Sequence, residues 1–164
     1  MPLLIDGFNL IYQFPDLEEL MRLGKLSEAR QGLFHKLRAF QKITGQKKIY
    51  IVLDGKKEES IDIQRENAGR GLEIHYSLYF SADALIREFI KMDPNPKMTT
   101  VVTSDRALID FASSFKMRLK RSEAFAQEVQ EILKKRPDEP TSEKEIDPVV
   151  NSNEIAYWEK IFKK

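Results

Sequence analysis

Ile49-Tyr50-Ile51-Val52-Leu53 runs directly into Asp54-Gly55, and two other segments share its plan. Leu3-Leu4-Ile5 precedes Asp6-Gly7, and Thr99-Thr100-Val101-Val102-Thr103 precedes Ser104-Asp105. None of these apolar runs alternates with polar residues. Short, continuous, β-branched-rich runs read as strands buried on both faces, as in a parallel sheet. Leu72–Ser77 and Met117–Lys120 are weaker strand candidates. The segments between carry helical patterns. Asp16-Leu17-Glu18-Glu19 offers a start and Gly24 a stop; Ser27 is a candidate cap for a longer helix with Ala29, Leu33, Leu37 and Phe40 on one face, stopped by Gly45. Further helices are predicted over residues 82–92, ended by Pro94 and Pro96, after Asp105, and after Ser122. Strands alternating with helices of this length make βαβ units with right-handed crossovers. The sequence thus predicts a three-layer α/β fold with about five parallel strands.

A chain of 164 residues is the size of one domain with a short appendage. The predicted domain spans residues 1–136, with a polar, turn-rich loop at 55–71. Pro137, Pro140 and Pro148 among charged residues mark a linker over 137–152. Ile155, Trp158, Ile161 and Phe162 then form an apolar stripe at helical spacing, predicting a helix over 153–164 that docks on the body or forms a dimer interface with a second chain. The net charge of +1 is unevenly shared. Seven acids against four bases give residues 138–164 a charge of −3, which leaves +4 on residues 1–137. The body is compatible with a polyanionic partner. The absence of cysteine excludes a disulfide scaffold, a thiolate zinc site and a cysteine nucleophile. No apolar run approaches the ~20 residues of a membrane span, and the N-terminal residues do not read as a signal peptide, so a cytoplasmic location is expected.

Asp6 and Asp54 directly follow predicted strands, and Asp105 lies two residues after Thr103. In a parallel sheet these positions share the C-terminal edge, where open α/β sheets bind ligands. Asp83, in the first turn of the helix after the third strand, can face the same edge. A single such aspartate is most often a helix cap or turn residue. Four at one edge repel one another, which raises some of their pKa values or calls for a cation. Oxygen-only ligands suit Mg²⁺ or Mn²⁺, and such sites typically serve phosphoryl chemistry. An aspartyl-nucleophile phosphatase would need an acid where Phe8 stands, a receiver domain would need paired acids where Gly7 and Phe8 stand, and no glycine-rich loop with a GK[ST] ending is present.

The segments Leu4-Ile5-Asp6-Gly7-Phe8-Asn9-Leu10-Ile11, Val52-Leu53-Asp54-Gly55, Ser81-Ala82-Asp83-Ala84-Leu85-Ile86 and Val101-Val102-Thr103-Ser104-Asp105-Arg106 resemble, in this order, the NYN domain, and more narrowly its YacP-like branch in the PIN-like nuclease superfamily. The resemblance covers about residues 1–135. It implies an α/β/α sandwich with strand order 3-2-1-4-5 and metal-dependent endoribonuclease activity leaving 3′-hydroxyl and 5′-phosphate ends. It also implies Asp6, Asp83 and Asp105 as core ligands of Mg²⁺ or Mn²⁺, with Asp54 a further acid at the site. Asn9 would sit beside them, orienting a ligand or holding the turn. Ser104 and Arg106 would flank Asp105, with Arg106 contacting a phosphate or pairing with one of the aspartates. The family often carries an acid one helical turn after the Asp of the AD motif; here that position is Arg87, and Glu88 is rotated from it by about 100°.

The expected partner is RNA, with the ribosome as a candidate context. Lys116, Arg118, Lys120 and Arg121 make a basic run that either tracks phosphates or protects an edge strand with charge. Lys56, Lys57, Arg65 and Arg70 lie in the loop after Asp54, near the acidic edge, as a substrate clamp or a solvated loop. His35 and His75 are the only histidines and are expected to be structural or surface residues, which disfavours histidine-based acid–base chemistry. The rival to a nuclease is a non-catalytic RNA- or ribosome-binding module of the same fold, favoured by Arg87. A structure-specific DNA nuclease is disfavoured by the small size.

Overall fold

The computed structural model describes residues 1–55, 65–67, 71–77 and 81–135. The chain runs β1 (Leu3–Asp6), α1 (Gly7–Ile11), α2 (Pro15–Arg22), α3 (Leu26–Thr44), β2 (Ile49–Asp54), β3 (Arg65–Asn67), β4 (Leu72–Ser77), α4 (Ala82–Met92), β5 (Thr100–Val102), α5 (Arg106–Ser114), β6 (Arg118–Lys120) and α6 (Ser122–Lys135). All five expected strands form and run parallel, in the order β4-β2-β1-β5-β6, which is 3-2-1-4-5 among the expected strands. The sequence reading did not include β3, which pairs antiparallel to β4 at the sheet's edge. The expected linker over 137–152, the expected helix over 153–164, Lys56, Lys57 and Arg70 lie outside the described residues.

The lack of polar alternation in the strands follows from burial on both faces. Leu3, Ile5, Ile49, Ile51, Leu53, Leu72 and Ile74 pack into one core with Leu10, Leu17, Leu33, Leu37 and Phe125 of α1, α2, α3 and α6. Leu4, Val52 and Val101 face the other way, into a second core with Ile86, Ile90, Leu108 and Ala112 of α4 and α5. Successive side chains of a strand point to opposite faces, so β1 feeds both cores. Helix limits follow local chemistry. Ser81 accepts a hydrogen bond from the Ala84 amide and starts α4. Gly45, in the left-handed conformation, ends α3. That helix starts one residue before Ser27, with Lys25 at the capping position and no side-chain cap. Among the described residues, no helix is long and apolar enough to cross a membrane.

Gly7 lets α1 begin hard against β2. A Cβ there would stand 2.4 Å from Leu53 Cδ2 and 2.9 Å from the Val52 carbonyl oxygen. Part of that obstruction is backbone, so Gly7→Ala is expected to cost about 1–3 kcal/mol as overpacking, visible as a lowered urea midpoint at unchanged slope.

Candidate active site

The registers Asp6↔Val52, Ile5↔Val102 and Asp54↔Ser77 put the C-terminal ends of β1, β2, β4 and β5 along one edge of the sheet. Asp6 is the last residue of β1. Its Oδ2 accepts a 3.0 Å hydrogen bond from the Thr103 hydroxyl. Thr103 is fully buried after β5, and its oxygen also accepts from the Asp105 amide at 3.1 Å. One threonine thus ties two of the site aspartates together. From sequence Thr103 reads only as a strand residue; its signal is its place two residues before Asp105.

Burial raises the Asp6 pKa from 3.8 to about 6. The Thr103 hydroxyl offsets part of this, while the charges of Asp105 and Asp83 add to it. Asp6, Asp83 and Asp105 are therefore brought close enough to interact electrostatically. Each also has a local commitment. Asp105 Oδ1 accepts from the Ala107 and Leu108 amides at 2.9 and 3.3 Å, capping α5. Asp83 Oδ2 receives the Arg87 Nε–H at 3.0 Å. Asp54 Oδ1 accepts from the Ser77 hydroxyl at 3.1 Å and the Ala82 amide at 2.7 Å, so it anchors the start of α4.

Asn9 fastens the surroundings. Its Oδ1 accepts from the Ser104 amide at 2.8 Å and the Ser122 hydroxyl at 2.6 Å, joining α1 to the β5–α5 loop and to α6. The Ser104 hydroxyl donates to Glu123 and accepts from the Ser122 amide at 3.1 Å. Those contacts with Ser104 and Arg121 hold the exposed Glu123 carboxyl down at about 2. From sequence Ser122 reads only as a helix start and Glu123 carries no signal, because only the fold brings α6 to this loop. Arg106 is 85% exposed, and its nearest carboxylate is Asp110 at 3.8 Å rather than a site aspartate.

The basic residues are divided. Lys116 precedes β6 in a left-handed turn conformation, φ 66°, and so lies outside the strand. Arg118 lies on β6 at the sheet's edge and donates to the Lys97 carbonyl at 3.3 Å. Lys120 pairs with Glu128 of α6 at 2.7 Å, and Arg121 with Glu123 at 2.9 Å. The backbone of Arg65 lies in β3. His75 packs edge-on against Phe89 with ring centroids 4.8 Å apart, within the fold rather than at the acidic edge.

Among the described residues, no three Asp, Glu or His side chains stand together tightly enough to ligate one ion. The donor chemistry nevertheless fits a hard cation. Asp83 Oδ1 is buried and, among the described residues, is the sole buried side-chain polar atom without a hydrogen-bond partner. Such an atom costs about 1–3 kcal/mol unless something compensates it, and the carboxylates of Asp6 and Asp83 supply the oxygen ligands Mg²⁺ and Mn²⁺ prefer.

A family model for the YacP-like NYN domain matches residues 3–163. The crystal structure of Rae1 (YacP) from Bacillus subtilis is similar over 99% of this chain and 91% of that chain, with a TM-score of 0.64 and 24% identity. The structure of a tryptophan-to-leucine mutant of the same Bacillus subtilis protein is similar over 82% of this chain and 77% of that chain, with a TM-score of 0.63 and 23% identity. At these identities the structural likeness speaks for the fold. No curated protein matches the chain. The match over nearly the whole sequence, on a parallel sheet whose carboxylates gather at one edge, places the chain in the YacP-like NYN domain family, a family of nuclease fold.

Proposed function

We propose that the protein is a Mg²⁺- or Mn²⁺-dependent endoribonuclease. The observation that carries this is the buried, unpartnered Asp83 Oδ1, on a carboxylate whose charge, with that of Asp105, is felt at Asp6. Asp6, Asp83 and Asp105 would hold the cation. When bound, it would neutralise charge developing at phosphorus and make the attacking water more acidic. The remaining residues prepare the site. Thr103 fixes the Asp6 carboxylate. Asp54 anchors α4 so that Asp83 stands in its first turn. Asn9 and Ser104 hold the loop that presents Asp105. Arg106, exposed at the start of α5, is free to turn its planar fork to an RNA phosphate. Lys116 and Arg118 extend a basic track, whereas Lys120 contributes to it only by leaving Glu128. Lys56 and Lys57 are proposed as a clamp after Asp54. We place the protein in the cytoplasm, with RNA as its partner and the ribosome as one source of it.

A second reading has its own support. The Arg87–Asp83 pair already gives that carboxylate a cationic partner, which favours a non-catalytic RNA-binding module. Cleavage of a mixed structured RNA separates the two. Wild type and Asp105→Asn are compared with Mn²⁺ and with EDTA. Asparagine keeps the helix cap, so a loss of activity reports on charge. Cleavage by wild type only, and only with Mn²⁺, is the expected result. Silent wild-type protein that still shifts the RNA in a gel would favour the binding module, and equal cleavage by Asp105→Asn would move the site elsewhere.

A further inference from the structure

Asp83 and Arg87 lie one turn apart on α4 and share a helix face. Arg87 is held from two sides. Its Nε stands 3.0 Å from Asp83 Oδ2, and its guanidinium carbon stands 4.9 Å from the ring centroid of Phe111 on α5. Two helices thus fix one protein cation against one site carboxylate, whose other oxygen is buried and bare. The pair's side chains are 34% and 39% exposed. Helical ion pairs this exposed add little to stability. Their consequence for a divalent ion is larger, because a fixed unit charge a few ångströms away repels a double charge across a partly shielded medium.

We infer that Arg87 is a resident counter-ion that competes with the divalent cation for Asp83 and thereby sets a low metal affinity. The inference rests on the carboxylate edge being a cation site. Arg87 acts through Asp83 and is a positioning residue. A cation at the bare Oδ1 would meet the guanidinium's charge on the other oxygen of the same carboxylate, and Phe111 holds that charge in place.

Calorimetric titration of the full chain with MnCl₂ tests this without reference to activity. Arg87→Met removes the charge but keeps an unbranched stem over Phe111. Arg87→Lys keeps the charge. Lys91→Met removes a charge from the same helix at a residue paired with Glu88. Arg87→Met is expected to bind Mn²⁺ about tenfold more tightly than wild type, whereas Arg87→Lys and Lys91→Met stay within about twofold of it. Binding that appears only in Arg87→Met supports the inference equally. Equal or weaker binding by Arg87→Met overturns it and leaves the cation site standing. An absence of binding in all four proteins overturns the cation site as well. Circular dichroism melts establish folding, and Arg87→Gln replaces any Arg87→Met protein that does not fold.

Discussion

Asp6→Asn is expected to be more stable than wild type at pH 7 by up to about 3 kcal/mol, while losing Mn²⁺-dependent RNA cleavage. The stability follows from the Asp6 carboxyl, whose pKa rises from 3.8 to about 6 on folding. A rise of that size corresponds to about 3 kcal/mol, at about 1.4 kcal/mol per pH unit. Below about pH 4 the group is protonated in both folded and unfolded chains, and it costs nothing. Between about pH 4 and pH 6 the unfolded chain has lost the proton and the folded chain retains it, so wild-type stability falls as pH rises. Above pH 6 the whole cost is present. Asparagine accepts from Thr103 as the carboxylate does, yet never ionises. Urea unfolding at pH 4 and pH 7 should therefore show convergence at the acid end and a gap at the neutral end. For a chain of this size the gap corresponds to about 6 °C or more in Tm. Identical pH dependence of the two proteins would refute the account. Mn²⁺ should raise the Tm of wild type and leave that of Asp6→Asn nearly unmoved, because binding stabilises only the folded form able to bind. Activity is expected to fall by about a thousandfold or more, since the carboxylate is proposed as a cation ligand.

Gly71→Ala is the most damaging single methyl substitution expected. Gly71 has φ +78°, and a Cβ there would stand 1.8 Å from the Lys47 carbonyl oxygen and 3.0 Å from the carbonyl carbon. Both obstacles are backbone, so no rotamer relieves them. The Gly71 carbonyl also accepts the Ile49 amide at 2.8 Å, at the point where β2 and β4 begin their shared register. Left-handed strain and overpacking each cost roughly 1–3 kcal/mol, a large share of a typical total of about 5–15 kcal/mol. A fall in Tm of about 10 °C is expected. Gly24→Ala is the control. Gly24 has φ +79°, but an added methyl would meet nothing within 4 Å, so only the backbone strain of about 1–2 kcal/mol remains. Equal losses in the two variants would exclude the contact with Lys47 as the cause.

Much of the sheet could be read from sequence because β1, β2 and β5 are covered on both faces. That produces apolar runs that helices and loops rarely imitate. The limits of α4 were equally legible, with Ser81 before it and two prolines beyond. Five-residue α1 was not, since one turn shows no periodicity. Nor was β3, whose Arg-Glu-Asn sequence has no apolar pattern and whose pairing depends on the edge that β4 offers. At the candidate site, the positions of the aspartates were legible because strand ends declare themselves. Their commitments were not. Asp54 and Asp105 each serve as a fastener for a helix N-terminus, so the ordinary role of a strand-end aspartate and membership of an acidic edge coexist in one residue. Asn9 bonds to Ser104 and Ser122, 95 and 113 residues away in the chain, distances over which local patterning carries no information.

β1 precedes both of its sheet neighbours in the chain. β2 begins at Ile49 and β5 at Thr100, yet Leu3–Asp6 lies between them in the sheet. During vectorial synthesis the central strand emerges first and waits, with one hydrogen-bonding edge open, until Thr100–Val102 has left the ribosome. Its apolar side chains stay uncovered for the same interval, when they are exposed to aggregation. Because its pairings are so distant in sequence, closing them carries a substantial loop entropy, and the sheet is expected to assemble late. Asp6 and Asp105 meet only when β5 closes against β1, so the acidic edge cannot form before that distant pairing.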